Sequence, residues 1–194
     1  SITAVFALAR SDNTVLFFDV EKAPIKEEFK ILKHSHALRK LTCTSPVTSL
    51  NFSPGGTLIV VAEANGRVLL WEPLGNRIQC FLPYEGAPVG SAMFVSPSVI
   101  VTGTAGNTHL HVWKGNSDVS SSNWVLCQTI HLPTDEQAPA YHLEWDDVRS
   151  VLVVTSRQSR YTYILTLPEG NASFFDGVVI GDVLEPILHF GVIS

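Results

Sequence analysis

Apolar and polar residues alternate along much of this chain, and the same succession of short apolar runs recurs in residues 47–72, 89–114 and 141–167. Alternation with a period of two, in runs rich in β-branched and aromatic residues, is typical of β-strands rather than helices. The polar breaks include Ala-Asn-Gly at 64–66 and Ala-Gly-Asn at 105–107. Asn and Gly accept the positive φ that a tight hairpin requires. Each recurrence therefore predicts three antiparallel strands joined by turns.

The spacing of these units indicates a repeat architecture. Trp71 and Trp113 close the third run of successive units, and Phe52 and Phe94 end the first run. Both pairs are separated by about forty residues, a period typical of propeller blades of the WD type. A blade buries its faces only against neighbouring blades. We therefore predict an all-β fold, a WD-repeat-like β-propeller with about four blades' worth of four-stranded antiparallel sheets.

The whole chain is predicted to be a single propeller region. The blade units run roughly over 1–33, 47–82, 89–132 and 139–184, with 186–193 starting or closing a blade. In the first unit, 27–33 is predicted as the outer strand, although Ile25, Phe29 and Leu32 recur at helical spacing and leave a short helix as the alternative. The chain starts and stops part-way through a blade. Because open strand edges favour association, we expect a larger ring or pairing with a second copy.

Composition narrows the possible partners. The chain has 194 residues, 45% of them hydrophobic and 16% charged, with a formal net charge of −5. A broad nucleic-acid surface needs the opposite sign, so direct RNA contact is not favoured. No apolar run reaches the roughly 18 residues of a membrane helix, so no membrane association is expected. Cys43, Cys80 and Cys127 stand alone without a C-x-x-C pair, which fits a reducing compartment.

Catalytic and metal-binding chemistry is not predicted. No phosphate-binding loop, nucleophile elbow or zinc-protease motif occurs. His109 and His111 lie two apart on one strand and face the same side, but a stable site needs a third ligand. His34 and His36 have the same spacing. We therefore expect no enzyme activity, no cofactor and no metal site.

Two further groups of residues have structural interpretations. Asp146 and Asp147 are adjacent in a turn, where carboxylates usually point apart, and are interpreted as a solvated turn rather than an acid–base pair. Trp71, Trp113 and Trp145 occupy repeating strand positions, so core packing is favoured over a base-stacking platform.

One basic cluster is a candidate partner-binding surface. Part of it lies in the predicted connection from an outer strand to the next inner strand, and part in a turn between second and third strands. These two kinds of connection emerge at the same end of a propeller, so the cations are placed to bind phosphate or an acidic peptide. The alternative is that they only solubilise exposed loops. The residues are Lys33, His34, His36, Arg39, Lys40, Arg157 and Arg160.

Two stretches resemble a known family. Val-Thr-Gly at 101–103 leads to Trp113, and the strand Asn-Trp-Val-Leu-Cys-Gln-Thr-Ile follows at 123–130. The second stretch, at 185–191, reads Glu-Pro-Ile-Leu-His-Phe-Gly. Both are similar to the WD-repeat domain of the mRNA-decapping scaffold family, enhancer of mRNA decapping in animals and Varicose in plants. The resemblance covers roughly residues 95–192.

The resemblance implies a cytoplasmic, non-catalytic scaffold that gathers the decapping enzyme and its activators, with processing bodies as its site. The chain departs from typical WD repeats because no Gly-His pair precedes Val47, Val89 or Tyr141, and the turns at 64–66 and 105–107 contain no Asp. The hydrogen-bonded network of those residues must be absent or rebuilt. Another WD-repeat adaptor, in vesicle traffic, ubiquitin ligation or translation control, is the alternative function. An enzyme with its site in the propeller channel is a further one.

Overall fold

The computed structural model describes residues 5–19, 37–75, 77–115, 124–133, 140–157, 159, 161–168 and 174–182. These residues form fifteen β-strands in four antiparallel sheets. Sheet 1 contains β1 (Val5–Ala9), β2 (Thr14–Asp19) and β3 (Arg39–Thr42). Sheet 2 contains β4 (Val47–Phe52), β5 (Ile59–Glu63), β6 (Val68–Glu72) and β7 (Arg77–Phe81). Sheet 3 contains β8 (Val89–Ser96), β9 (Val99–Thr104), β10 (His109–Lys114) and β11 (Val125–His131). Sheet 4 contains β12 (Tyr141–Asp146), β13 (Val151–Ser156), β14 (Tyr161–Thr166) and β15 (Gly177–Asp182).

Every sheet is a meander in which strands adjacent in sequence are hydrogen-bonded neighbours. The predicted hairpin turns are present, with φ of 90° at Gly66, 81° at Gly106 and 55° at Asn107. Sheets 2, 3 and 4 have the predicted four strands in the predicted order. Among the described residues, no helix is long and apolar enough to cross a membrane.

The sheets stack face to face, and the core lies between them. In β5, Ile59 and Val61 pack toward sheet 1, whereas Val60 and Ala62 pack toward sheet 3. All of β5 is therefore buried, because each face of this strand meets a neighbouring sheet. A third core cluster joins sheets 3 and 4 in the same way. This stacking is the burial scheme expected of propeller blades.

The inner strands of sheets 2 and 3, which are β4 and β8, are joined by side-chain hydrogen bonds. Thr48 Oγ1 donates to the carbonyl of Val89 at 2.7 Å, and Ser49 Oγ donates to that of Ala92 at 3.1 Å. The backbone N–H of Phe94 donates to Asn51 Oδ1 at 3.0 Å. Polar residues on β4 thus satisfy backbone groups of β8, which fixes how closely the two inner strands approach.

The outer strand of the first unit lies later in the sequence than predicted. Residues 27–33, predicted as that strand, lie outside the described residues, as does the segment 186–193. The strand that pairs with β2 is β3, with Phe17 opposite Arg39 and Thr14 opposite Thr42. Leu41, which is 6% exposed, anchors β3 in the core between sheets 1 and 2. A strand with a single anchored apolar residue among exposed neighbours carries little apolar periodicity.

Candidate protein-interaction site

The inner strands of sheets 2, 3 and 4 line a cavity of about 320 Å³. It lies at the ends where the inner strands lead into the turns to the second strands. Its lining combines polar and charged side chains with aromatic rings. The polar members are Ser49, Asn51, Glu144 and Asp147, and the aromatic ones include Phe52 and Trp145. Sequence reasoning missed this site, because the lining residues come from three strands far apart in the chain.

The carboxylates give the cavity an acidic rim. Glu144 has a side chain that is 39% exposed, and its Oε2 lies 3.7 Å from Nε2 of His142. Asp147 follows β12 and is exposed. Two solvent-accessible carboxylates beside aromatic rings form a favourable environment for a cation.

Asp146 lies between these residues in sequence but takes no part in the rim. It is only 3% exposed, and its Oδ1 accepts the N–H groups of Val148 and Arg149 at 3.0 and 3.2 Å. The Arg149 guanidinium donates to Oδ2 at 2.7 Å, and this bond is the main reason why the pKa of Asp146 is lowered. The interpretation of Asp146 and Asp147 as turn residues rather than an acid–base pair fits this geometry. The prediction that Asp146 is solvated is wrong, because its carboxylate is buried and accepts the N–H groups of Val148 and Arg149 in the turn.

The tryptophans differ in their burial. Trp71 is 1% exposed and packs in the core between sheets 1 and 2, as predicted. Trp113 and Trp145 are only half-buried. Trp145 packs against Phe175 with ring centroids 6.4 Å apart, while its buried Nε1 has no hydrogen-bond acceptor among the described residues. Trp145 therefore packs in the core and also lines the cavity.

The hydrogen-bonded network of sheet 3 is rebuilt from other residue types. Trp113 Nε1 donates to Thr102 Oγ1 at 3.0 Å, and Thr102 Oγ1 donates to the Tyr84 hydroxyl at 3.2 Å. The Tyr84 hydroxyl donates to the carbonyl of Thr102 at 2.7 Å. Tyr84 lies in the connection before β8, where a typical repeat has its Gly-His pair. Burial raises the pKa of Tyr84 to about 12, so it acts as a neutral donor.

Sheet 2 has a different network, centred on a buried acid. Glu63 is fully buried and accepts the backbone N–H of Thr44 at 2.9 Å and the Thr44 hydroxyl at 2.8 Å. Arg67 NH1 lies 3.6 Å from Glu63 Oε2 and donates to Thr44 Oγ1 at 2.7 Å. Burial, reinforced by the charge of Glu63, raises the pKa of Cys43 to about 12. The only sequence signal was an acid ending an otherwise apolar run, with Arg67 four positions on.

The basic cluster is only partly described. Arg39, Lys40 and Arg157 are exposed, whereas Lys33, His34, His36 and Arg160 lie outside the described residues. The prediction that Arg39 and Lys40 lie in a connection is wrong, because they belong to β3. β3 runs from Arg39 to Thr42 and only then leads to β4, so Arg39 stands at the end of β3 remote from that connection. The structure therefore does not bring Arg39 to the same end of the sheets as Arg157.

The histidines of sheet 3 lie on its third strand, β10, and on its outer strand, β11. His109 and His131 pair across β10 and β11, with ring centroids 4.7 Å apart. His111 Nδ1 lies 3.1 Å from the carbonyl of Pro83, and burial lowers the pKa of His111. Within the described part of the chain, no group of three or more His, Cys, Asp or Glu side chains is arranged to hold a metal ion.

No protein-family model matches the sequence, and no curated protein matches it. Similar solved structures exist. The WD40 domain of Toxoplasma gondii coronin has a TM-score of 0.65 at 13% identity, over 94% of this chain and 44% of that one. The β-propeller domain of Myceliophteria thermophila Cps50 (Swd1) has a TM-score of 0.61 at 15% identity, over 93% and 52%.

A third similar structure is the dihydro-heme d1 dehydrogenase NirN, with a TM-score of 0.59 at 14% identity, over 93% of this chain and 35% of that one. The chain thus spans about half, or less, of the proteins that it resembles in structure. At such low identity the likeness concerns the fold alone. The stacked antiparallel sheets therefore have the fold of a WD40-type β-propeller.

Proposed function

We propose that this chain is a non-catalytic interaction platform that assembles mRNA-decapping factors in the cytoplasm, in processing bodies. The decapping enzyme and its activators are the proposed partners. The resemblance of residues 95–192 to the decapping scaffold family supports this choice, and the WD40-type fold agrees with a scaffold. Another WD-repeat adaptor would share the same fold, so partner identity is the decisive point.

The cavity on the inner strands is the observation that carries an interaction role. Its acidic rim, formed by Glu144 and Asp147, and its aromatic wall, which includes Phe52 and Trp145, suit an extended segment that presents a lysine or arginine. The occupant is therefore a basic peptide rather than a phosphate.

The arrangement of titratable groups favours binding over catalysis. Asp146 is held by Arg149 and two backbone N–H groups, which keeps it away from any ligand. No histidine, cysteine or lysine stands among the lining residues of the cavity, and His142 Nε2 lies 3.7 Å from Glu144 Oε2, beyond hydrogen-bond reach. A nucleophile or proton-transfer pair needs such a partner within hydrogen-bond reach. The geometry of this cavity supports recognition of a cation.

The experiment is an affinity pull-down of the full-length protein from nuclease-treated cytosol, with partners identified by mass spectrometry. We expect the decapping enzyme, its activators and the 5′-to-3′ exonuclease to be enriched. The double variant Glu144→Lys/Asp147→Lys should lose them, because it reverses the charge of the rim. The control Glu85→Lys changes an exposed acid in the connection before β8 and should keep them.

Two results would contradict the proposal. Enrichment of coat, ubiquitin-ligase or ribosomal proteins instead would leave an adaptor and refute the decapping role. Retention of every partner by the Glu144→Lys/Asp147→Lys variant would show that the cavity is not the docking site.

A further inference from the structure

The outer strand of sheet 4 exposes an unusual row of apolar side chains. Val178, Val179 and Ile180 are 59%, 59% and 61% exposed, and all belong to β15. Among the described strands, β15 pairs with β14 alone, over six residues and without a register shift. Its other edge is therefore a regular apolar strand edge, the kind that recruits a further strand.

Two of the other outer strands carry features that discourage such pairing. β3 exposes the cations Arg39 and Lys40. β11 contains an irregularity where it pairs with Val112 and Trp113 of β10. Charged residues and bulges are the usual protection of an edge strand. β15 contains no cation, no proline and no bulge, and its one charged residue, Asp182, stands at its end. Among the described residues, no strand covers its outer edge.

The sequence of β15 also specifies its best partner. Residues 177–181 read Gly-Val-Val-Ile-Gly and are nearly palindromic about Val179. An antiparallel copy centred there puts Val179 opposite Val179, Val178 opposite Ile180, and Gly177 opposite Gly181. β-branched residues opposite one another stabilise a strand pair, and glycines opposite one another create no clash. A two-fold axis between identical strands is the common symmetry of dimers.

We propose that β15 of one copy pairs antiparallel with β15 of a second copy, forming a continuous eight-stranded sheet across the two molecules. Further sheets of a larger ring do not compete for this surface. They stack on the face of sheet 4, where Val153 and Ile164 are half-buried, and leave the edge of β15 open. The self-pairing also brings Asp176 of one copy opposite Asp182 of the other. Their repulsion weakens the dimer at low salt, and salt screening strengthens it.

Disulfide trapping in the full chain tests the pairing and its register. Cys80→Ser and Cys127→Ser first remove the two exposed thiols. In that background, Val179→Cys should give covalent dimers on mild oxidation, because the two Cα atoms lie roughly 5 Å apart, within disulfide range. Val178→Cys alone should not crosslink, since its copies stand about 8 Å apart on the diagonal. A mixture of Val178→Cys with Ile180→Cys should crosslink.

The matched control is Val125→Cys on β11, which is 60% exposed on another outer strand and should stay monomeric under the same oxidation. Light scattering gives an independent reading. Val179→Lys should raise the dimer dissociation constant by at least roughly tenfold, a change of about 1.4 kcal/mol, whereas Val125→Lys should leave it unchanged.

Crosslinking of Val179→Cys no faster than that of Val125→Cys would overturn the proposal. A mass unaffected by Val179→Lys would overturn it as well. If the Val179→Lys variant no longer binds a different protein while its dimerisation is unchanged, a strand of that partner occupies the edge, and self-pairing is refuted.

Discussion

The fully buried carboxylate of Glu63 accepts both the backbone N–H and the hydroxyl of Thr44, at 2.9 and 2.8 Å. Glu63 ends the second strand of sheet 2, while Thr44 lies in the connection that leaves sheet 1. The pair therefore ties two sheets together at a point where the chain passes from one to the next.

Removal of this acceptor should destabilise the protein strongly. In Glu63→Ala, the Thr44 N–H loses its acceptor and Arg67 loses its counter-charge, so we expect a loss of about 2–4 kcal/mol in the free energy of unfolding. Glu63→Gln keeps one acceptor and should lose less. Urea denaturation of both variants measures the difference. Equal stability of Glu63→Ala and the parent protein would contradict this account.

The Tyr84 hydroxyl should contribute to stability in a way that depends on pH. Tyr84→Phe removes its bonds with Thr102 and should cost about 1 kcal/mol near neutral pH. The pKa of Tyr84 is raised to about 12, against about 10 in the unfolded chain. The contribution is therefore complete below about pH 10 and is lost as the pH rises toward 12. Denaturation at several alkaline pH values should show a smaller decline for Tyr84→Phe than for the parent protein.

The three cysteines should differ in reactivity. Cys80 and Cys127 are exposed, whereas Cys43 is buried and its pKa is raised to about 12. Because the thiolate is the reactive form, a maleimide at neutral pH should label Cys80 and Cys127 in the folded protein and Cys43 only after denaturation. Mass spectrometry of the labelled peptides is the measurement. Labelling of Cys43 at the rate of Cys127 would show that Cys43 is accessible.

Gly115 should tolerate no side chain. A Cβ added there would lie 2.5 Å from Cδ2 of Trp124, whose ring stacks on Phe81 at 6.4 Å. Gly115→Ala must displace the indole and should cost about 1–3 kcal/mol. Gly55→Ala is the control, because nothing lies within 4 Å of its added Cβ, and it should be neutral or slightly stabilising. Thermal denaturation of the two variants distinguishes a steric effect from a general effect of replacing glycine.

The bond between Asp146 and Arg149 should determine how low the pH can fall before the protein unfolds. Its pKa is lowered mainly by the hydrogen bond from Arg149, so its contribution is present above about pH 3.9 and is lost as the pH falls through the folded value. Arg149→Met should therefore make the protein unfold at a higher pH in an acid titration followed by circular dichroism. Arg10→Met breaks a more exposed pair with Asp12 and should have little effect. Identical acid midpoints for Arg149→Met and the parent would refute the role of Arg149.

Much of the fold was predictable because strand alternation is a local signal. In the segment 47–72 the first run alternates apolar and polar residues, the next two are short apolar runs, and Asn and Gly stand at the hairpin turn between them; the segment folds as three strands. The outer strand β3 escaped prediction because only Leu41 anchors it between exposed Arg39, Lys40 and Thr42. Pairing with β2, and not the periodicity of β3 itself, determines that strand.

The candidate site was much less predictable. The cavity brings Asn51, Met93 and Glu144 to one surface, although they belong to different sheets. Its existence depends on how far the inner strands stand apart, which no local pattern encodes. The network around Glu63 was equally unpredictable from the sequence, because Thr44 and Glu63 meet only after sheets 1 and 2 have packed.

The hydrogen bonds between the side chains of Thr48, Ser49 and Asn51 and the backbone of β8 have a consequence for the dynamics of the molecule. Because β4 holds β8 by its side chains, fluctuations that detach one inner strand also release the backbone groups of the other. Sheets 2 and 3 should therefore open as one cooperative unit, with amide hydrogens on both strands exchanging at a common rate. The smallest folding unit of this chain would then be a pair of adjacent blades and not a single blade.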